Sequence, residues 1–260
     1  LPVLGGWFGQ GRVPNSEMIL QTKPDVILLS DSTKKMGEEK IKSSLGNIDI
    51  PFFYIKANTL EELVSSFSHI GKLVDKEKRA KELENYGNES LNLAKEIAKK
   101  VYKKPKVYDA ERNNGLGTDC NTSIHSELKN LASGDNVHKC QTTNSFGREA
   151  INFEQVLNYN PEIILVYEKE FYKKIYKDKK WQLIDAVKNK KVYFLPKGPF
   201  SWFDRPPSFM RLLGLKYIVS ILHPDLYNMD VYEESKKFYK LFLDLDLSDS
   251  QIDDILGKNI

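Results

Sequence analysis

Compact apolar runs alternate with amphipathic stretches along the chain, and the alternation predicts its elements. Residues 25–30 (DVILLS) and 51–55 are apolar runs of strand length, and residues 59–74 carry helical periodicity behind a threonine suited to capping. Together they predict an α/β lobe. Residues 75–102 are charged and free of proline, with Ala80, Leu83, Leu91, Ala94, Ile97 and Val101 at helical spacing. That predicts one long helix of roughly 40 Å at about 1.5 Å per residue. Alternation resumes with a strand at 106–110, a loop at 111–120, a helix from about Thr122 to Ala132 and strands at 163–166 and 191–195, making a second α/β lobe. Residues 206–222 and 232–256 read as helices, the first opened by Asp204 and two prolines, the last element capped by Ser248.

A repeat adds the most information. Residues 15–28 (NSEMILQTKPDVIL) return at 152–165 (NFEQVLNYNPEIIL) with a constant offset of 137, and each copy follows a Gly-Arg pair. Each predicts a short helix carrying a carboxylate, a turn with proline and a buried strand, so the chain contains two equivalent lobes. The boundaries are an N-terminal lobe at 1–75, a linking helix at 76–103 and a C-terminal lobe with terminal helices at 104–260.

Composition narrows the classes. The chain has 260 residues, 40% of them apolar, enough for real cores, and a net charge of +3 from 39 basic and 36 acidic residues. So small and dispersed an excess argues against a nucleic-acid partner. No apolar run is long enough to span a bilayer. The sequence opens within an apparently structured segment and not on methionine, so removal of a leader is expected. Cys120 and Cys140 lie 20 apart, which matches no metal-ligand motif; one bridge in an oxidising compartment and two free or buried thiols both remain open. Cysteines in cluster spacing, a Walker loop, a nucleophile elbow and paired catalytic carboxylates are all missing, which argues against an enzyme.

The paired N-x-E-x-x-L-x-x-x-P-[DE]-x-I units, the single long helix between them, and residues 181–195 resemble the class III periplasmic binding proteins of ABC importers, which handle ferric siderophores, haem, corrinoids and, in one branch, molybdate or tungstate. Residues 115–127 (GLGTDCNTSIHSE) and 198–207 (GPFSWFDRPP) are similar to one subgroup of that family. The resemblance implies two Rossmann-like lobes joined by one long α-helix, with the ligand between them and no cofactor. It also implies an extracytoplasmic monomer, free in the periplasm or lipid-anchored, that serves a dimeric permease and its ATPase. Family members usually carry a further strand-helix-strand unit before the point where this sequence begins, so the first lobe looks incomplete. A ferric siderophore or similar chelate is the first ligand expected, molybdate or tungstate the second; a two-lobed metal-cluster enzyme subunit is the rival of a different class.

Candidate ligand residues follow from where such loops fall. Trp7, Phe8, Gln10 and Arg12 combine flat apolar walls with a guanidinium. Gly115, Leu116 and Thr118 precede the helix expected near Thr122, whose free N–H groups suit an anion. Trp202, Phe203 and Arg205 suit a hinge or pocket wall, and Arg12, Arg148 and Arg205 together would favour an anionic ligand. His125 is a candidate metal ligand, although a lone histidine is more often structural. Glu17 and Glu154, related by the repeat, match the family's pair of permease-docking carboxylates.

Overall fold

The computed structural model describes residues 4, 14–46, 50–142 and 147–259. The chain divides into two compact units, Leu1–Glu77 and Lys78–Ile260. Trp7, Phe8, Gln10 and Arg12 lie outside the described residues.

In the first unit, helix α1 (Ser16–Thr22) starts at Asn15, whose side chain accepts from the Met18 N–H, and stops at Lys23 in the left-handed conformation. Strand β1 (Ile27–Ser30) follows and pairs in parallel with β2 (Phe52–Ile55) across α2 (Lys34–Leu45). The pattern did not single out α2. Its mean hydropathy is low, and among its described residues Ile41 and Leu45 reach the core with Ile19, Leu29 and Ile50. Helix α3 (Leu60–Leu73) begins with the capping box that Thr59 and Glu62 predict.

Helix α4 (Glu77–Ala98) opens the second unit. It buries Ala80, Tyr86, Gly87, Ser90, Leu91, Ala94 and Ile97, a stripe at three- and four-residue spacing. From this stripe Tyr86 meets α10 (Val231–Leu243), standing edge-on to Phe238 and Phe242 and donating to Glu234 at 2.6 Å.

The sheet of the second unit has the order β5-β3-β7-β8, all parallel: Asp135–Asn136, Lys106–Ala110, Ile163–Val166 and Val192–Phe194. The first crossover carries α5 (Glu127–Leu131). The repeat's second copy forms α6 (Phe153–Tyr159), again capped by asparagine, again ended by a left-handed residue, Asn160, and again leading into the parallel strand β7. Helices α7 (Lys169–Ile175) and α8 (Asp185–Lys188) cross over to β8. Helices α9 (Arg211–Leu222), α10 and α11 (Asp249–Leu256) complete the unit.

Three expectations change in detail. The loop 111–120 contains β4 (Gly117–Asp119), antiparallel to β6 (Arg148–Ala150), a pairing between segments too distant for a local pattern to signal. The helix expected from Thr122 is a single tight turn at Ile124–Ser126 and then the five-residue α5. The helix expected from 206 starts at Arg211, because Asp204 bonds His125 instead of capping it.

Side chains alternate across β3 and β7, so the register Ala110↔Val166 divides their residues between two faces. Tyr108, Ala110, Ile164 and Val166 enter a core with Phe171, Ile175, Trp181 and Ile184. Asp109 lies on the opposite face, where Lys129 of α5 meets it in a fully buried ion pair. Glu111 and Tyr167 continue that polar face just past the strand ends.

Candidate functional site

Parallel α/β sheets bind ligands outside the carboxyl ends of their strands. At that end of β3, the chain turns through Arg112, in the left-handed region at φ 66°, and returns to form β4. The turn is fixed from below: the Tyr108 hydroxyl donates to the Gly115 carbonyl at 2.6 Å. Gly115 has φ 71°, and a Cβ there would stand 2.2 Å from the Phe171 ring. Gly115 is therefore required by the turn and by packing.

Glu111, with no exposed side-chain surface, is the hub. Its two oxygens receive Nε of Arg148 and, at 3.2 Å, Nε of Arg205. Arg205 also places one Nη across both oxygens of Asp119, at 2.6 and 2.8 Å. Burial, then the hydrogen bond and charge of Asp119, push the Glu111 carboxyl above its usual range against the pull of Arg205 and Arg148. Arg205 itself is held in the left-handed region at φ 61°. A non-glycine residue stays there only when its surroundings fix it, and the bonds to Glu111 and Asp119 do so.

Below the hub, the Tyr167 phenol is raised well above its ordinary value, first by burial and then by Asp109, Glu111, Asp204 and Asp119. It therefore remains a donor across the physiological range. Its hydroxyl, Asp109 Oδ1 and Thr118 Oγ1 are buried without a protein partner among the described residues.

The predicted residues separate into three groups. Trp202 and Phe203, expected at a hinge or pocket wall, are buried in the interior of the second unit. Trp202 donates to the Tyr239 hydroxyl at 3.1 Å and packs on Tyr217, while Phe203 stands edge-on to Tyr167. The physical reason lies in α9: a Cβ on Gly214 would sit 1.7 Å from the Trp202 carbonyl oxygen, so helix and loop meet backbone to backbone. Thr118 is likewise buried, its strand position paired with Glu149. His125 engages Asp204 through Nδ1, and among the described residues it joins no group of three metal donors.

The second group is spent on charge balance. Arg205 is committed to Glu111 and Asp119, so it does not carry the free positive charge expected of it. The third group stays open. Arg148 uses only Nε in its bond to Glu111, and its side chain is 38% exposed. Arg112 is exposed, its carbonyl accepts from the Gly115 N–H at 3.0 Å, and its side chain makes no hydrogen bond or ion pair among the described residues. Leu116 lies half-buried between them in sequence and packs on the core. Glu17 and Glu154 are both exposed in the first turns of the matched helices α1 and α6.

Glu111 stands out in the sequence only as an ambiguous carboxylate at a strand end, and neither its pairing with two arginines nor the bonds of Asp119 to Arg205 and Lys129 to Asp109 were anticipated. One signal was available: Asp109 and Glu111 alternate with Tyr108 and Ala110 in a strand otherwise fit for the core.

The family described as periplasmic binding protein matches residues 7–199. The chain belongs to that family. Within it, an ABC transporter solute-binding protein from Sulfurospirillum deleyianum is 39% identical, with a TM-score of 0.85 over 99% of this chain and 79% of that one. The high-affinity haem uptake system protein IsdE of Staphylococcus aureus is 29% identical over 204 residues, covering 74% of this chain and 67% of its own. The molybdate-bound periplasmic binding protein MolA of Haemophilus influenzae shares the fold, with a TM-score of 0.66 and 22% identity over 91% of this chain and 77% of that one. The two-lobed α/β class expected for a periplasmic binding protein is thus the class found. Among the described residues no helix is long and apolar enough to cross a membrane. Cys120 and Cys140 form a disulfide, as suits an oxidising compartment.

Proposed function

We propose that this periplasmic binding protein is the extracytoplasmic solute-binding component of an ABC importer. It captures an anionic metal complex, a ferric siderophore or similar chelate, and passes it unchanged to the permease. One observation carries the ligand class: at the carboxyl end of β3, Arg112 is exposed and brings a positive charge that no carboxylate of the hub matches, and beside it Arg148, paired with Glu111 through Nε, keeps its Nη donors for a ligand. The relatives support the role, since one is a solute-binding protein of an ABC transporter and another serves haem uptake. A bare oxyanion is the weaker reading, because the helix start expected to receive it is a short turn leading to α5, whose first turn carries Glu127.

Delivery is assigned to Glu17 and Glu154, one exposed carboxylate on each copy of the repeat, docking on basic residues of the two permease subunits. The protein acts as a monomer, with or without a lipid anchor.

The test is a thermal-shift series with ferric chelates, haem, molybdate and tungstate, since a ligand bound only by the native state raises Tm. A shift with a chelate or haem that falls in Arg112→Ala and Arg148→Ala supports the reading. A shift with molybdate alone overturns it. Charge reversal at Glu17 or Glu154 is expected to lower permease-dependent uptake while leaving ligand affinity unchanged, and unaltered uptake would remove the docking role.

A further inference from the structure

Outside the candidate site, a ring nitrogen of His138 and the sulfurs of Cys120 and Cys140 all lie within 4.8 Å of one another. The sulfurs are joined, so the three groups hold no ion in this state. We propose that they form a latent site for a borderline-soft divalent ion such as zinc, armed by reduction of the disulfide.

Preorganisation independent of the S–S bond carries the argument. The segments bearing the two cysteines are clamped by hydrogen bonds that reduction leaves intact. The Asn121 N–H donates to the His138 carbonyl at 2.9 Å, the Cys140 N–H donates to Asn121 Oδ1 at 3.0 Å, and the Thr122 hydroxyl donates to the Cys140 carbonyl at 3.0 Å. On the far side of Cys120, Ser126 donates to its carbonyl at 2.8 Å. Two thiols freed here stay side by side. The imidazole is fixed as well, its Nδ1 lying 3.0 Å from the Tyr159 hydroxyl, which is how proteins orient a histidine ligand. Two thiolates and one imidazole are a preferred donor set for zinc, with a fourth position open to water.

The chemistry balances. A dithiol reductant attacks the sulfur of Cys140, the residue of the pair that is half-buried where Cys120 is fully buried, and the Cys120 thiolate leaves. The second reductant thiol resolves the mixed disulfide. The reductant becomes a disulfide, and the protein gains two electrons and two protons as two thiols. A divalent ion then displaces both thiol protons and binds the imidazole nitrogen, so the site carries no net charge.

The inference stands apart from the proposed solute role and is tested apart from it. The whole chain, reduced with a phosphine under argon, is titrated with zinc against a chromophoric chelator, and with cobalt for its thiolate charge-transfer bands. One zinc per reduced chain, none in the oxidised chain, and weakening by at least roughly tenfold in Cys140→Ser and His138→Gln support it. Absence of zinc binding after reduction, unchanged affinity in His138→Gln, or loss of far-ultraviolet circular dichroism on reduction alone would each overturn it.

Discussion

The two copies of the repeat share almost every local device and differ in what surrounds them. Both helices are seven residues long, start at an asparagine cap and end at a left-handed residue, and both strands are parallel. Yet Leu28 is 43% exposed and its counterpart Leu165 fully buried. Among the described residues β1 has the single partner β2, while β7 lies between β3 and β8, covered on both faces. Capping chemistry sets the shape of such a unit; its neighbours set how firmly it is held.

The comparison breaks most sharply at the polar face beneath β7, which has no counterpart described beside β1. Lys129→Met strands the Asp109 charge in the interior and is expected to cost about 4 kcal/mol in urea unfolding. Asp109→Leu with Lys129→Met together should recover most of that loss, and a double variant as unstable as the single one would contradict the ion-pair account.

Next in size is the matched pair of leucines. Leu165→Ala should destabilise by about 3 kcal/mol, while Leu28→Ala should cost less than about 1 kcal/mol. Equal losses would mean that the copies are equally embedded.

Each unit also holds a tyrosine–glutamate–lysine clamp. In the second, Glu234 takes 2.6 and 2.7 Å bonds from Tyr86 and Lys216. Burial works to raise its carboxyl, but the bonds outweigh burial and the net shift is downward. In the first, Glu38 is lowered by Lys42 and then Tyr54, at the surface. Both depressed carboxylates contribute stability above the ordinary glutamate range and lose it as pH falls through their lower folded values. Glu234→Gln should cost about 2 kcal/mol at neutral pH and flatten the acid limb of the stability curve. Glu38→Gln should barely change that curve. The difference between copies is smallest at the caps: Asn152→Ala and Asn15→Ala should each cost about 1 kcal/mol, with Asn152 the larger because Gln155 reciprocates its bond.

Features governed by neighbours in sequence were the legible ones. The Thr59 capping box, the strand at 106–110 and both asparagine caps announce themselves within a few residues. The candidate site was half legible. Arg148 and Arg205 were identifiable as site residues, but their charge balance depends on Glu111 and Asp119, and Arg205 meets Glu111 from 94 positions away. No local spacing records that a guanidinium is already matched. The same limit applies to Trp202, whose burial is decided by a glycine on α9.

That glycine limits what redesign can reach. With backbone against backbone at Gly214, the stretch that ends in Arg205 moves only if the helix moves with it. If the proposed site is the one that holds the ligand, variation in ligand preference has its freedom in the turn bearing Arg112 and Leu116 and in the outward half of Arg148, and should leave the aromatic stretch untouched.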